Sequence, residues 1–372
     1  MPRRRSGLAA LFAAVSVALA AAGPASAAPS DFFGLVPQGA APSGSDIERM
    51  GKGKVGSVRL LLNWTALEPV DDDFNFAATD EYIGDLAAAG IRPLPFVWGV
   101  PGFVSANNLE LPVGAAGDKA QWEEFLRVVA GRYGPGGEYW KGDYKSQHPG
   151  EPPLPVETYQ IWNEQNAPKH VRKPDPANFA ELLELSDEAI SAEDPGAEIV
   201  LGGMFGRPTG TAATGGSARA AAKGGAIKAW SFIKRLYKTK GVKSHFDGVA
   251  IHPYSPDVAG ITDQIKRVRK VLKKKKDRKT DLWVTEIGWG SGKPGRLGVG
   301  AKQQPKLLRK SFKLLQRRRG KWNIGGVFWY TWRDLAAGAA PCNWCATAGL
   351  FPKSGSNPKP AWNKFVRFTG GS

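Results

Sequence analysis

The chain has 372 residues, 42% of them hydrophobic and 10% aromatic with 13 Trp, a globular composition long enough for one large core. Its two cysteines cannot by themselves complete a zinc site, and no His pair stands near them at ligand spacing, so no metal and no cofactor is implied. The formal charge of +17 is compatible with an anionic partner, and its placement along the chain has to decide what it means.

The chain opens with Arg3, Arg4 and Arg5, an apolar stretch from Leu8 to Ala22, and the small-residue run Ala25-Ser26-Ala27. This is the pattern of an export signal cleaved after residue 27, and it leaves residues 28–372 as one domain outside the cytoplasm, secreted or associated with the cell envelope. A membrane anchor fits less well, because the apolar run is short, is interrupted by Ser16 and ends at Gly23-Pro24.

From there apolar runs alternate with helical patterns. Strands are predicted over Phe32–Gln38, Ser57–Leu62, Arg92–Trp98, Thr158–Trp162, Glu198–Gly202, Gly248–His252, Leu282–Glu286 and Gly326–Tyr330. Helices are predicted over Asp80–Ala89, Gln121–Tyr133, Asn178–Ile190, Ala226–Tyr237, Ile261–Lys274 and Lys302–Arg317, each with apolar residues at helical spacing. Nearly continuous apolar strands suit a parallel sheet buried on both faces. Eight alternations, with no Gly-x-Gly-x-x-Gly turn after the first strand, favour a closed (β/α)8 TIM barrel over a doubly wound sheet.

The Gly- and Ala-rich stretch Gly210–Ala226 reads as a loop after the fifth strand, either a rim beside the site or an unstructured insertion. The basic runs Lys273–Lys276 and Arg317–Arg319 end helices just before strands. In a barrel those junctions lie on the face opposite catalysis, so the charge sits away from the cleft, complementing helix C-termini or holding an anionic cell-envelope polymer. Cys342 and Cys345 are expected to form a local disulfide.

Two carboxylates stand at the C-terminal ends of otherwise apolar strands, Glu164 after Trp162-Asn163 on the fourth and Glu286 after Val284-Thr285 on the seventh. An acidic group there is costly to bury and therefore informative, and a barrel brings both ends to one pocket.

Trp162-Asn163-Glu164-Gln165-Asn166 and Thr285-Glu286-Ile287-Gly288-Trp289 resemble the acid/base and nucleophile motifs of the clan A glycoside hydrolases, above all families 39 and 5. The resemblance implies a retaining glycosidase in which Glu164 is general acid/base and Glu286 nucleophile, acting on a poly- or oligosaccharide without a cofactor. By the same resemblance Arg59 orients the nucleophile, Asn163 binds the sugar 2-hydroxyl, and His252 and Tyr254 belong to a His-x-Tyr pattern whose Tyr donates to Glu286. Trp332 resembles the aromatic platform beneath the sugar, with Trp64, Trp98 and Trp289 as weaker subsite candidates. The expected protein is monomeric and does not bind nucleic acid. The rival readings are a non-catalytic carbohydrate-binding barrel and a cell-envelope adhesion protein.

Overall fold

The computed structural model describes residues 28–207, 225–336 and 338–372. The expected export segment, residues 1–27, and all but the last two residues of Gly210–Ala226 lie outside them.

Eight parallel strands follow one another around a closed barrel: β1 (Phe33–Val36), β2 (Ser57–Asn63), β3 (Arg92–Trp98), β4 (Thr158–Asn163), β5 (Glu198–Phe205), β6 (Gly248–His252), β7 (Asp281–Ile287) and β8 (Ile324–Tyr330). The ring closes where Leu35 of β1 pairs with Trp329 of β8. Among the described residues the helices are α1 (Gly44–Lys52), α2 (Trp64–Leu67), α3 (Ala77–Ala88), α4 (Ala116–Tyr133), α5 (Glu138–Lys141), α6 (Asp143–Gln147), α7 (Pro176–Glu193), α8 (Ala229–Leu236), α9 (Val258–Lys274), α10 (Gln304–Trp322) and α11 (Trp362–Thr369). None of them is long and apolar enough to cross a membrane.

All eight strands coincide with predicted ones to within a few residues, because strands buried on both faces leave an unbroken apolar signal; every residue of β1 and β6 is buried. The sequence reading did not include α1 or α11. In α1 only Ile47 and Met50 present an apolar spacing, and the rest of the helix is Gly, Ser and charge. What holds α1 is tertiary: buried Asp46 accepts hydrogen bonds from Arg333 Nε at 2.8 Å and Nη2 at 2.5 Å, pinning the helix to the exit of β8. In α11, Trp362, Phe365 and Val366 supply a single buried stripe of two turns.

The barrel interior is filled from below. Trp283 of β7 occupies the lower end, where a side chain at Gly248, Gly325 or Gly326 would overlap its indole. Between the strands and the outer helices, Trp122 and Phe125 of α4 pack ring to ring with Trp64 and Trp162, and Phe33 of β1 packs with Phe312, Phe365 and Phe368 of α10 and α11. With the bottom plugged and the flanks closed by aromatic rings, the polar residues of the interior are gathered at the upper, C-terminal end.

Candidate active site

A cavity of about 600 Å³ opens at that upper end, and its walls include Arg59, Asn163, Glu164, His170, Tyr254, Glu286 and Tyr330. A larger hollow of about 770 Å³ lies at the opposite end, among Asp31, Arg92, Glu157, Glu198 and Asp281. The catalytic candidates all belong to the first.

Backbone geometry places two consecutive residues in that cavity. Neighbours on a regular strand point to opposite faces, yet Asn163 and Glu164 both line the cavity. Trp162 and Glu164 adopt left-handed conformations (φ 69° and 45°), which break the alternation at the end of β4. For a residue as bulky as Trp162 this is costly, and it is held by burial of the indole and its donation to His170 O at 2.9 Å.

Arg59 organises the nucleophile side. It is 1% exposed, lies 3.9 Å from the centroid of Phe96, and spends its donors on three side chains of two strands: Nη1 to Glu286 Oε1 on β7 at 2.8 Å, and on β4 Nη2 to Asn163 Oδ1 at 2.8 Å and Nε to Gln160 Oε1 at 2.5 Å. Burial pulls its guanidinium below the usual range, with Glu286 opposing that shift. Asn163 Oδ1 accepts from Arg59 and its amide nitrogen lies 3.5 Å from His170 Nδ1, which leaves one N–H of the amide to meet a ligand. Glu286 receives a second hydrogen bond, from Tyr254 Oη to Oε2 at 2.7 Å. Burial first and the Glu286 charge second push the Tyr254 phenol far up, so it remains a neutral donor.

Glu164 is gripped by two imidazoles. His252 Nδ1 lies 2.8 Å from Oε1 and His170 Nε2 lies 3.1 Å from Oε2. Burial raises the Glu164 carboxyl, but the hydrogen bonds and charges of His170 and His252 outweigh it, and the net direction is downward. His252 is fully buried, with Nε2 3.1 Å from Thr285 Oγ1 and Nδ1 3.4 Å from Glu286 Oε2, so it stands between the two carboxylates. Gly203 makes this possible: a Cβ there would overlap His252 Nε2 and lie 2.6 Å from Thr285 Oγ1. The nearest carboxylate oxygens of Glu164 and Glu286 lie within 4.8 Å of each other, and His252 offers a third donor atom within the same span. A cation seated there would share Glu286 with the guanidinium of Arg59, an unfavourable arrangement.

Arg59, Asn163, Glu164, His252, Tyr254 and Glu286 are thus brought together. Trp332 is not, and the expectation of a sugar platform there is corrected. It is 2% exposed and packs 4.5 Å from the ring of Phe351 and 5.4 Å from that of Trp362, outside the cavity wall. The expectation rested on resemblance; β8 ends at Tyr330, and Thr331 turns away to donate from Oγ1 to Val36 O at 2.7 Å.

Tyr330 itself lines the cavity, buried, with a hydroxyl that has no partner. Of the weaker candidates only Trp98 reaches the cavity, also with an unpartnered indole nitrogen; Trp64 and Trp289 are core residues bonded to Glu68 and to Ser255 O. Sequence reasoning also missed His170, Gln160 and Trp344. Gln160 was the most visible, a polar residue inside an apolar strand. Trp344 packs edge-on against Tyr254 at 4.9 Å, within the tight loop closed by the Cys342–Cys345 disulfide.

No family model and no curated protein matches the chain. Solved structures do. The chain is similar to a family 39 glycoside hydrolase from Bacteroides cellulosilyticus WH2, with TM-score 0.65 and 18% identity over 92% of this chain and 63% of that one. It is similar to a monomeric beta-xylosidase from Caulobacter crescentus CB15, with TM-score 0.62 and 17% identity over 90% of this chain and 67% of that one. Xylanase 10B from Thermotoga petrophila RKU-1 aligns with TM-score 0.58 and 14% identity over 92% of this chain and 94% of that one. At these identities the likeness establishes the fold: the chain is a (β/α)8 barrel of the kind these glycoside hydrolases share, and it spans 63% of the length of the first.

Proposed function

We propose that the protein is a retaining glycoside hydrolase that cleaves an extracellular oligo- or polysaccharide. The observation that carries the reading is the pair of carboxylates at the cavity floor, with oxygens within 4.8 Å and different partners. Retaining enzymes hold the two groups about 5 to 5.5 Å apart, whereas inverting ones leave about 6.5 to 9.5 Å for a water.

The surroundings divide the labour. Glu286, fixed by Arg59 on one oxygen and Tyr254 on the other, attacks the anomeric carbon and forms a glycosyl ester. The bond to the departing oxygen breaks as that oxygen takes the proton of Glu164. The resulting Glu164 carboxylate deprotonates water, which attacks the same carbon, releases Glu286 and restores the proton. His170 and His252, one on each oxygen, hold the Glu164 carboxyl below its usual range, so the acid step draws on the fraction of the protein in which Glu164 carries its proton. The Asn163 amide nitrogen, which directs one N–H toward His170 Nδ1 at 3.5 Å, has a second N–H to donate to the sugar next to the reacting carbon, and the unpartnered Tyr330 hydroxyl and Trp98 indole nitrogen offer polar contacts elsewhere in the cavity. Export is proposed from residues 1–27, and the Cys342–Cys345 pair suits an oxidising compartment.

The test is hydrolysis of a panel of aryl glycosides and polysaccharides, with the product anomer read by NMR before mutarotation. Turnover with the starting anomeric configuration, lost in Glu286→Gln, is expected. An inverted first product, or turnover that persists in Glu286→Gln, would refute the assignment.

A further inference from the structure

The helices around the barrel separate by charge. On one side α3 carries Asp80, Glu81 and Asp85 with no cation, and α7 carries Glu181, Glu184, Asp187, Glu188 and Glu193 with no cation. On the other side α8, α9, α10 and α11 stand next to one another, and the single carboxylate in all four is Asp263, which pairs with Arg207 and Arg267.

The cations of α9 and α10 are arranged in rows. Lys306, Lys310, Lys313 and Arg317 follow at steps of four, three and four residues and lie on one exposed stripe of α10; Lys266, Lys270 and Lys273 repeat the pattern on α9. Among the described residues none of these seven has an ion pair. Each row advances by about one helical turn, ~5.4 Å, per charge, and from Lys306 to Arg317 the row on α10 extends over roughly 17 Å. Below them Lys276, Arg278 and Lys279 continue the field around the lower end of α9.

We propose that this flank is a docking surface for an anionic polysaccharide, held along α9 and α10 while a sugar of the same polymer occupies the cavity. The choice of a glycan rests on the glycosidase reading above; the polyanion preference rests on the charge alone. Regularly spaced point charges on a convex wall suit a flexible polymer bearing one acid group per ring, a repeat of the same order as the helical pitch. Nucleic acid fits less well. Among the described residues the exposed large apolar side chains, Leu61, Val70 and Phe103, lie off the flank, and its half-buried Trp230 is covered by Arg207 and Arg267, so the flank offers unpaired bases no fully exposed large apolar ring.

The experiment compares the full chain with a variant carrying Lys266→Gln, Lys270→Gln, Lys273→Gln, Lys306→Gln, Lys310→Gln, Lys313→Gln and Arg317→Gln. Both are titrated with alginate, with an uncharged xylan and with duplex DNA across a salt series, and folding is checked by Tm. Wild type is expected to bind alginate with an affinity that falls steeply with salt, and the variant to bind it at least about tenfold more weakly with a shallower salt slope and unchanged Tm. Hydrolysis of an uncharged aryl glycoside, followed in parallel, is expected to be equal in the two proteins. Equal alginate binding by both, binding indifferent to salt, or tighter binding of DNA than of alginate would overturn the proposal. Absence of glycoside hydrolysis with flank-dependent alginate binding intact would instead count against the glycosidase reading alone.

Discussion

Glu164 and Glu286 are chemically alike, and their neighbours decide what each can do. Glu286 accepts from a buried guanidinium and a phenol, which favours the carboxylate as a nucleophile, whereas Glu164 meets two imidazoles that can both give and take a proton. Glu164→Gln is expected to lower kcat by about 10²- to 10⁴-fold on substrates with poor leaving groups and far less on activated aryl glycosides, because only the former need the proton. Retention of full rate on both classes would remove Glu164 from the chemistry. The histidines hold the Glu164 carboxyl below its usual range despite burial, so removing one of them raises it. His170→Gln is therefore expected to move the alkaline limb of the kcat/KM profile to higher pH, since the acid keeps its proton further up the scale; a profile that falls uniformly with its limbs in place would mean that His170 only packs. Tyr254→Phe removes one hydrogen bond to a charged group, a change of about 1.5 to 3 kcal/mol, and is expected to lower kcat/KM by roughly ten- to a hundredfold.

At the level of elements, two local devices keep these residues in place. Gly203 on β5 leaves the room that His252 fills, and Gly203→Ala is expected to cost about 1 to 3 kcal/mol of stability and to lower activity together, because the displaced imidazole is a Glu164 partner. The second device is the clamp of α1 on the β8 exit through Asp46 and Arg333. Burial opposes ionisation of Asp46, but Arg333 and Arg49 prevail and its carboxyl titrates below the usual value. A carboxylate depressed in the folded state stabilises fully above its unfolded pKa of about 4, and that contribution is lost as pH falls through the folded value. Asp46→Asn is thus expected to lower Tm at pH 7 by several degrees and to matter less as the solution is acidified below about pH 4, which a pH series of thermal melts checks. A Tm difference that stays constant with pH would contradict this.

The same scale explains what could be read without coordinates. Strands buried on both faces and long amphipathic helices were legible because burial imposes composition, and the two strand-end glutamates were legible because their placement violates it. What was not legible depends on contacts between distant segments. Asp46 gives no sign in the chain that Arg333 awaits it, and His170, six residues past Glu164, lies in coil with no periodicity to orient it. The placement of Trp332 was not legible because it lies past the end of β8, where no strand periodicity says which way a side chain turns.

Over the whole molecule, the barrel separates three features in space. Trp283 fills the barrel above the hollow at the lower end, the upper end holds the catalytic candidates, and the outer helices differ in charge, acidic on α3 and α7 and basic on α8 to α11. The sequence reading located the basic runs away from the cleft, at the helix ends; the structure extends that charge along the C-terminal half of α9, from Lys266, and along α10. None of this matters for function unless the upper cavity performs double displacement. The most direct measurement is incubation with a panel of activated 2-fluoro glycosides followed by mass spectrometry of the peptides. The account predicts a stable glycosyl adduct on the peptide and side chain of Glu286, absent from Glu286→Gln; an adduct on any other residue would contradict it.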